Sequence, residues 1–99
     1  MLEQENQIAA RVELGRLVAT AGAIDAFAEA GVTPREFLCR HQHGDWGEVS
    51  ADDKAENESS LREGFRLLSA YSLPHTERKI WIITEADRSA TTILLPEEY

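Results

Sequence analysis

The sequence contains few of the residue types that support the simplest functional assignments. It has one cysteine, Cys39, among 99 residues, so it can form neither an intrachain disulfide nor a cysteine-rich zinc site. A reducing cytoplasm is therefore the expected compartment. No apolar run approaches the ~20 residues that a membrane helix requires. The first residues lack the basic segment and apolar core of a secretory signal.

Basic residues are also scarce, because 10 Lys and Arg side chains stand against 18 Asp and Glu, which gives a formal net charge of −8. A protein that holds a phosphate backbone needs clustered Lys and Arg, and the sequence contains no such cluster. Direct nucleic-acid binding is therefore disfavoured, and a protein partner is the expected ligand. Neither a cofactor nor a membrane is expected.

The length and composition of the chain fit one domain. A hydrophobic content of 42% and a charged content of 28% are ordinary for a globular protein and too apolar for general disorder. Residues 1–13 are predicted to form a polar N-terminal segment. Residues 14–99 are predicted to form a single α+β domain.

The start of this domain carries the signals of a short apolar segment and a helix. Leu14–Ala19 fits either an edge strand or the end of a first helix, with a slight preference for the strand. Thr20 can cap a helix over about 21–30, which Gly31 would end. The predicted apolar stripe of this helix is Ile24, Phe27 and Ala28.

A second short helix is predicted to begin after Thr33. Thr33 is its N-cap, Pro34 occupies the first helical position, and Glu36 closes a capping box. Cys39 lies within this helix and, without a basic neighbourhood or a partner base, is interpreted as a buried structural thiol. The residues that share one face of the helix are Phe37, Leu38 and His41.

The second half of the domain is predicted to hold one polar helix and a sheet. The helix begins at Ser50 and ends near Gly64, and its few apolar residues imply that most of it faces water. The apolar period then changes to two, which predicts strands at 65–73, 80–84 and 91–95, joined by short polar loops. Predicted core contributors from these strands are Phe65, Leu67, Ile82 and Ile93.

The predicted fold is therefore α+β. The N-terminal helices pack on one face of a C-terminal three-stranded antiparallel meander, because adjacent strands with short loops pair in antiparallel order. One extra short N-terminal strand joins them if residues 14–19 are extended.

Several segments of the sequence resemble a family of small bacterial proteins. The segments are Leu14–Thr20, Arg40–His41, Gly44–Gly47, Leu67–Tyr71 and above all Ile80–Tyr99. Members of the family are found on plasmids and integrated mobile elements, and are labelled "plasmid-related protein" or "type I restriction endonuclease subunit M". The resemblance covers about residues 14–99 and implies a mobile-element context in the cytoplasm, but it implies no established activity. Family members often have Pro where this chain has Ala21, which leaves the start of the first helix less sharply fixed.

The methyltransferase label is not compatible with the sequence. A chain of 99 residues with no Gly-rich nucleotide loop after a strand cannot form a cofactor-binding methyltransferase domain.

Two local patterns around residue 45 are candidate sites. His41, His43 and Asp45 form an H-x-H-x-D string of residues that can bind metal ions. The sequence offers no fourth ligand nearby, so no metal site is predicted. In the turn Gly44–Gly47, Asp45 can bond backbone N–H groups. Trp46 is interpreted as a buried core residue, with an exposed anchor for a ligand or partner as the alternative.

Two charged segments complete the set of candidates. Glu85, Asp87 and Arg88 lie on a predicted hairpin loop, which is read as a solvated tip with an internal ion pair in preference to an acid–base or phosphate site. Seven carboxylates lie between Asp45 and Glu63. They form either a solvated face or a surface that docks onto a basic groove.

Two functions remain open on the sequence. The first is a non-enzymatic acidic interaction protein of a plasmid or integrated mobile element, which binds a host or element-encoded protein such as a defence component. Its predicted binding residues are Asp45, Trp46, Asp52, Asp53, Glu56, Glu85, Asp87 and Arg88. The alternative is a small nuclease-like enzyme. Its predicted catalytic residues are His41, Tyr71, Glu85 and Arg88, which would have to converge in one concave pocket.

Overall fold

The structure is a computed structural model that describes residues 10–99, and it has the predicted α+β class. Residues 1–9, which hold most of the predicted polar segment, lie outside the described range. No helix within 10–99 is long and apolar enough to cross a membrane. The elements are β1 (Arg16–Ala19), α1 (Ala21–Ala30), α2 (Pro34–Gln42), α3 (Ala51–Glu63), β2 (Leu67–Ser72), β3 (Lys79–Thr84), β4 (Ala90–Leu94) and a 3-10 helix, Pro96–Glu98.

The strands form a four-stranded mixed sheet in the order β1-β4-β3-β2. Strands β2, β3 and β4 are antiparallel neighbours, as the meander prediction requires. Strand β1 pairs in parallel with β4, with Leu17 opposite Thr91. The predicted α+β class is therefore confirmed, and the predicted three-stranded meander is corrected to a four-stranded mixed sheet that contains three antiparallel neighbours. The strand interpretation of residues 14–19 is confirmed for Arg16–Ala19.

Helices α1 and α2 pack against one face of the sheet. The rings of Phe27 and Phe37 lie 5.8 Å apart, and those of Phe37 and Tyr71 lie 5.4 Å apart, which joins both helices to β2. Ile82 and Ile93 are 0% and 3% exposed, so their predicted core role is confirmed. The remaining members of this core include Ala23, Ala26, Ala30, Leu73, Ile80 and Leu95.

The predicted apolar stripe of α1 is wrong in two of its three members. Ile24 is 57% exposed, and Ala28 is also exposed. The small alanines allow α1 to lie close to the sheet, so the inward stripe follows them rather than the larger Ile24. This stripe is Ala23, Ala26, Phe27 and Ala30.

Three further local predictions are wrong for reasons of chain geometry. Phe65 is 60% exposed, because α3 ends at Gly64 in the left-handed conformation and the Phe65 N–H bonds to Ser60 O in the same terminal turn. Cys39 is exposed, since it lies two residues from each of the inward-facing Phe37 and His41. The Thr33 side chain makes no capping hydrogen bond, although α2 begins at Pro34 as predicted.

The outer edge of β2 is closed by side-chain and loop contacts. The Asn57 side-chain amide donates to Leu68 O at 2.7 Å, and its Oδ1 accepts from Leu68 N at 3.1 Å. Ala70 donates to Trp46 O at 3.1 Å and accepts from Glu48 N at 2.7 Å. These bonds fix α3 beside β2, which creates the surface described next.

Candidate functional site

Helix α3 presents the acidic surface that the sequence singled out. Its Ser50 N-cap accepts a hydrogen bond from Asp53 N at 3.1 Å, and acidic residues in its first turn complement the helix dipole. Its buried residues are polar: Asn57 and Ser60. The helix is therefore held largely through hydrogen bonds, and its acidic residues remain available at the surface.

The carboxylates of α3 fall into two groups. Asp52, Asp53 and Glu56 are exposed, and no ion pair among the described residues involves them. Glu58 instead bonds Arg11 at 2.6 Å and accepts the Trp46 indole N–H at 3.0 Å. These hydrogen bonds lower the pKa of Glu58. Glu58 is thus a structural residue. Of the four remaining carboxylates of α3, Asp52, Asp53 and Glu56 lie in its first half and form what we call the free acidic face, and Glu63 is exposed at its last turn.

A cavity of about 310 Å³ opens between α3 and the start of β2, and we call it the α3–β2 cleft. Carboxylates of α3 line one part of it and the exposed Phe65 lines another. Among its lining residues are Asp53, Glu56, Ser60, Phe65, Arg66 and Leu68. Sequence reasoning missed this role of Phe65, although Gly64, a helix terminator, was the signal that Phe65 leaves the strand.

The hairpin between β3 and β4 supports this cleft. The Arg88 guanidinium donates to Phe65 O at 2.8 Å and to Ser60 O at 3.2 Å. It also donates to the carbonyl oxygens of Glu85 and Ala86. The predicted internal ion pair is therefore wrong, because Arg88 bonds carbonyl oxygens rather than the carboxylates of its own loop. Asp87 is an exposed side chain that accepts the Ser89 N–H at 2.9 Å.

The Gly44–Gly47 turn is a structural connection to β2. Trp46 is 4% exposed and packs with Val12 and Leu67, so the buried interpretation is confirmed. Gly47 has a φ of 77°, and a Cβ there would collide with Ala70 O and the Tyr71 ring. Only glycine fits this approach.

Asp45 completes this turn through two hydrogen bonds. Its carboxylate accepts the Gly47 N–H at 3.2 Å and Arg40 Nε at 2.7 Å. The Arg40 hydrogen bond is the main cause of the lowered pKa of Asp45. This carboxylate is therefore engaged within the chain.

His41 lies at the centre of a buried chain of hydroxyl groups. It is 0% exposed, with Nδ1 at 2.6 Å from Ser69 Oγ and Nε2 at 2.8 Å from Thr84 Oγ1. Burial is the main cause that lowers the pKa of His41 to about 4, with the Arg88 charge as a second cause. The imidazole of His41 is therefore neutral in the folded protein at neutral pH.

The hydrogen-bond directions in this chain fix the imidazole tautomer. Thr91 Oγ1 donates to Leu14 O at 2.7 Å, so Thr84, at 2.8 Å, must donate its hydroxyl proton to Thr91. Thr84 then accepts from His41, which places the ring proton on Nε2. The hydroxyl of Ser69 donates to Nδ1. Both ring nitrogens are thus satisfied inside the protein.

The residues of the H-x-H-x-D string turn in different directions. His41 faces the sheet, His43 Nδ1 bonds Cys39 O at 2.8 Å, and Asp45 bonds Arg40. Across residues 10–99, no three side chains of metal-ligating type lie close enough to hold an ion. The absence of a stoichiometric metal stays a prediction.

The four residues of the enzymatic alternative do not converge at the α3–β2 cleft, although Glu85 and Arg88 are neighbours on one hairpin. Tyr71 is 1% exposed, its hydroxyl donates to Asp45 O at 2.6 Å, and burial raises its pKa to about 12. His41 is enclosed, and Arg88 bonds carbonyl oxygens. Glu85 is half-buried at the end of β3. The α3–β2 cleft is lined by none of these four residues.

Comparison of the chain with family models, with curated proteins and with solved structures gives no match. The geometry of the described residues is therefore the basis for assigning a function.

Proposed function

We propose that this chain is a non-enzymatic acidic interaction protein that acts in the cytoplasm. Its partner is a host protein, or a protein encoded by the same plasmid or integrated mobile element, for example a defence component. The family resemblance supports the mobile-element context. The observation that carries the proposal is the free acidic face of α3, whose three exposed carboxylates have no ion-pair partner among the described residues.

The position of this face favours recognition of a basic surface. Asn57 ties α3 to β2 through two hydrogen bonds, so the carboxylates are held on a fixed helix before any partner arrives. A net charge of −8 adds a long-range attraction for cationic proteins. Preorganised charges steer association and lose little entropy on binding.

The buried state of two candidate catalytic residues supports this proposal over the nuclease-like alternative. A general acid or base must reach the proton that it transfers, whereas His41 and Tyr71 are 0% and 1% exposed and are hydrogen-bonded inside the core. No specific observation favours the enzymatic function.

The test begins with capture of partners from a natural host, using the parent chain and the double variant Asp52→Lys/Glu56→Lys. The variant should retain the fold, because exposed charges contribute little to stability, but it should lose the partner. A matched control, Asp25→Lys/Glu97→Lys, makes the same charge change at exposed positions outside α3 and should bind as well as the parent.

Binding kinetics at two salt concentrations then test the mechanism. Salt screens exposed charges over about 8–10 Å at physiological strength, so the association rate should fall as salt rises, with a smaller change in the dissociation rate. If the α3 double variant associates as fast as the parent at low salt, the acidic face is only solvated and the proposal is wrong.

A further inference from the structure

The α3–β2 cleft brings together charged, aromatic and polar side chains. Neither a helix face that is only solvated nor a packing defect would need this combination. Asp53 and Glu56 bring exposed carboxylates to it, and Phe65 presents an aromatic side chain that is 60% exposed. Ser60 also lines the cleft and is 4% exposed. No hydrogen bond joins its hydroxyl to a described residue, and every fully buried side-chain N or O atom of the described residues has a partner, so the Ser60 hydroxyl is a polar group left open to the cleft.

The size of the cleft limits what can enter it. A volume of about 310 Å³ is at the lower end of the range for ligand pockets in proteins, so it suits one long side chain rather than a helix or a strand. Arg66 lines the cleft as well, but its guanidinium bonds the Tyr99 hydroxyl and lies 5.5 Å from the centre of the Tyr99 ring. No ion pair joins Arg66 to Asp53 or Glu56 among the described residues.

The geometry points to an arginine side chain of the partner protein, flanked by an apolar residue, as the occupant of the α3–β2 cleft, and this inference rests on the proposed function. A guanidinium is planar and stacks on an aromatic ring, which matches Phe65. Its several N–H donors match the carboxylates of Asp53 and Glu56 and the hydroxyl of Ser60. The flanking apolar residue covers Leu68, which is half-buried beside Phe65.

The cleft is formed before its occupant arrives. Arg88 holds the backbone of Phe65 through a 2.8 Å hydrogen bond to its carbonyl oxygen. Asn57 holds Leu68 through both its N–H and its C=O. A site whose walls are already fixed loses less conformational entropy on binding than a mobile one, which favours recognition of a single side chain.

Titration of the isotope-labelled full chain with short peptides tests this inference without the natural partner. The probe is Gly-Arg-Leu-Gly with both ends blocked, followed by nuclear magnetic resonance of the backbone amides. The same peptide with lysine, or with uncharged citrulline, replaces the arginine in matched titrations. The arginine peptide should give saturable shifts at Asn57, Ser60, Phe65 and Leu68. Loss of a charge-assisted hydrogen bond should weaken the lysine peptide about 5–10-fold, and citrulline should abolish binding.

Two pairs of variants locate the site. Glu56→Gln should weaken the arginine peptide about tenfold, the effect of losing one charge-assisted contact. Glu36→Gln, the same change at an exposed residue of α2 outside the cleft lining, should leave peptide binding unchanged. Phe65→Ser should abolish saturation, whereas Ile24→Ser, at another exposed apolar side chain, should not. Equal binding of arginine and lysine peptides, or shifts spread over carboxylates outside the cleft, overturns the assignment of arginine to this cleft.

The outcomes separate this inference from the proposed function. If a natural partner is captured and depends on Asp52 and Glu56 but binds Phe65→Ser as tightly as the parent, the cleft assignment fails and the acidic-face function stands. If the arginine peptide saturates the cleft but no partner depends on the α3 charges, the recognition site stands and the steering function fails.

Discussion

At the scale of single residues, the neutral His41 imidazole is the group whose ionisation the fold most strongly opposes. Its two nitrogens join Ser69 and Thr84, and the chain of bonds continues through Thr91 to Leu14 O. A buried polar group is tolerated when every donor and acceptor is paired, and no buried side-chain N or O atom of the described residues lacks a partner. Protonation would add a charge in this enclosed site.

Stability should therefore fall as pH decreases from neutrality. The pKa of His41 drops from 6.5 in an unfolded chain to about 4 in the fold, so the unfolded state takes up the proton first and is favoured by acid. The contribution is complete above pH 6.5 and is lost by about pH 4, a total of about 3 kcal/mol at 1.36 kcal/mol per pKa unit. Between pH 6.5 and pH 5 the expected loss is about 2 kcal/mol.

Denaturant unfolding across this range measures the loss, and imidazole resonances give the His41 pKa directly. The carboxylates with lowered pKa values, such as Asp45 and Glu58, act mainly below pH 4.5, outside the test window. His41→Gln should flatten the pH dependence, whereas His75→Asn, at an exposed histidine, should not. An imidazole midpoint near 6.5 for His41 in the folded chain would contradict the buried neutral form.

At the scale of elements, α3 is an exception to the rule that an amphipathic helix is fixed by its apolar face. Its contacts with the rest of the fold include the Asn57 amide bonds, Glu58 with Trp46 and Arg11, and Arg88 at its last turn. Leu61 packs beside Trp46 and Leu67. A helix held in this way can keep a fully charged outer face, because its position does not depend on that face.

Arg88→Lys should destabilise the end of α3. Lysine keeps the charge but cannot reproduce the fork that reaches Ser60 O and Phe65 O, so we expect a loss of about 1–2 kcal/mol for this half-buried charged group. Denaturant unfolding measures the loss, and faster hydrogen exchange of Gly64 and Phe65 amides locates it. Arg62→Lys makes the same chemical change at an exposed position on α3, and equal effects of the two variants would show that Arg88 does not brace the cleft.

At the scale of the whole molecule, the sheet has one closed edge and one edge that no described residue covers. Strand β2 is closed by Asn57 and by the Trp46–Glu48 segment. Strand β1 is exposed, with Leu17 and Val18 at 54% and 38%. It has only four residues, and a short edge strand with a charged residue such as Arg16 limits pairing with other chains. The acidic helix lies beside the closed edge.

The core should respond to truncation at Ile82 but not at Phe65. Ile82→Ala removes a side chain that is 0% exposed between α1, α2 and the sheet, so we expect a loss of about 2–5 kcal/mol in the free energy of unfolding. Phe65→Ala removes a side chain that is 60% exposed and should change it by no more than about 0.5 kcal/mol. Denaturant midpoints measure both, and similar losses for the two variants would contradict the placement of Phe65 outside the core.

Sequence reasoning was reliable at the ends of α1 and α3, where one local signal acted alone. Thr20 and Gly31 bound α1, and Ser50 and Gly64 bound α3, because caps and left-handed terminators depend on neighbouring residues only. Sequence reasoning failed at Phe65, where a strand signal and a helix-termination signal competed. Phe65 has the β propensity of a strand residue, but the helix-terminating turn directly before it takes its backbone N–H.

The candidate site was predicted only in part for a related reason. The exposure of Asp52, Asp53 and Glu56 follows from a helix with few apolar residues, so the sequence contained it. The cleft forms where α3 meets the start of β2, and its walls are held by Arg88, a hairpin residue that is distant in the chain and bonds Phe65 O and Ser60 O. Nothing in the sequence indicated that the guanidinium of Arg88 binds carbonyl oxygens of another element.

The sequence by itself determined the α+β class, the helix limits, the antiparallel β2–β3–β4 meander and the acidic outer face of α3, because these follow from periodicity, capping and charge over short distances. Only the tertiary structure decided the parallel pairing of β1 with β4, the enclosure of His41 by Ser69 and Thr84, and the cleft beside Phe65. The strand pairing and the His41 contacts join residues far apart in the chain, and the cleft is held by Arg88 from a distant hairpin. Such contacts depend on which elements meet in three dimensions, a property that no local pattern of side chains encodes.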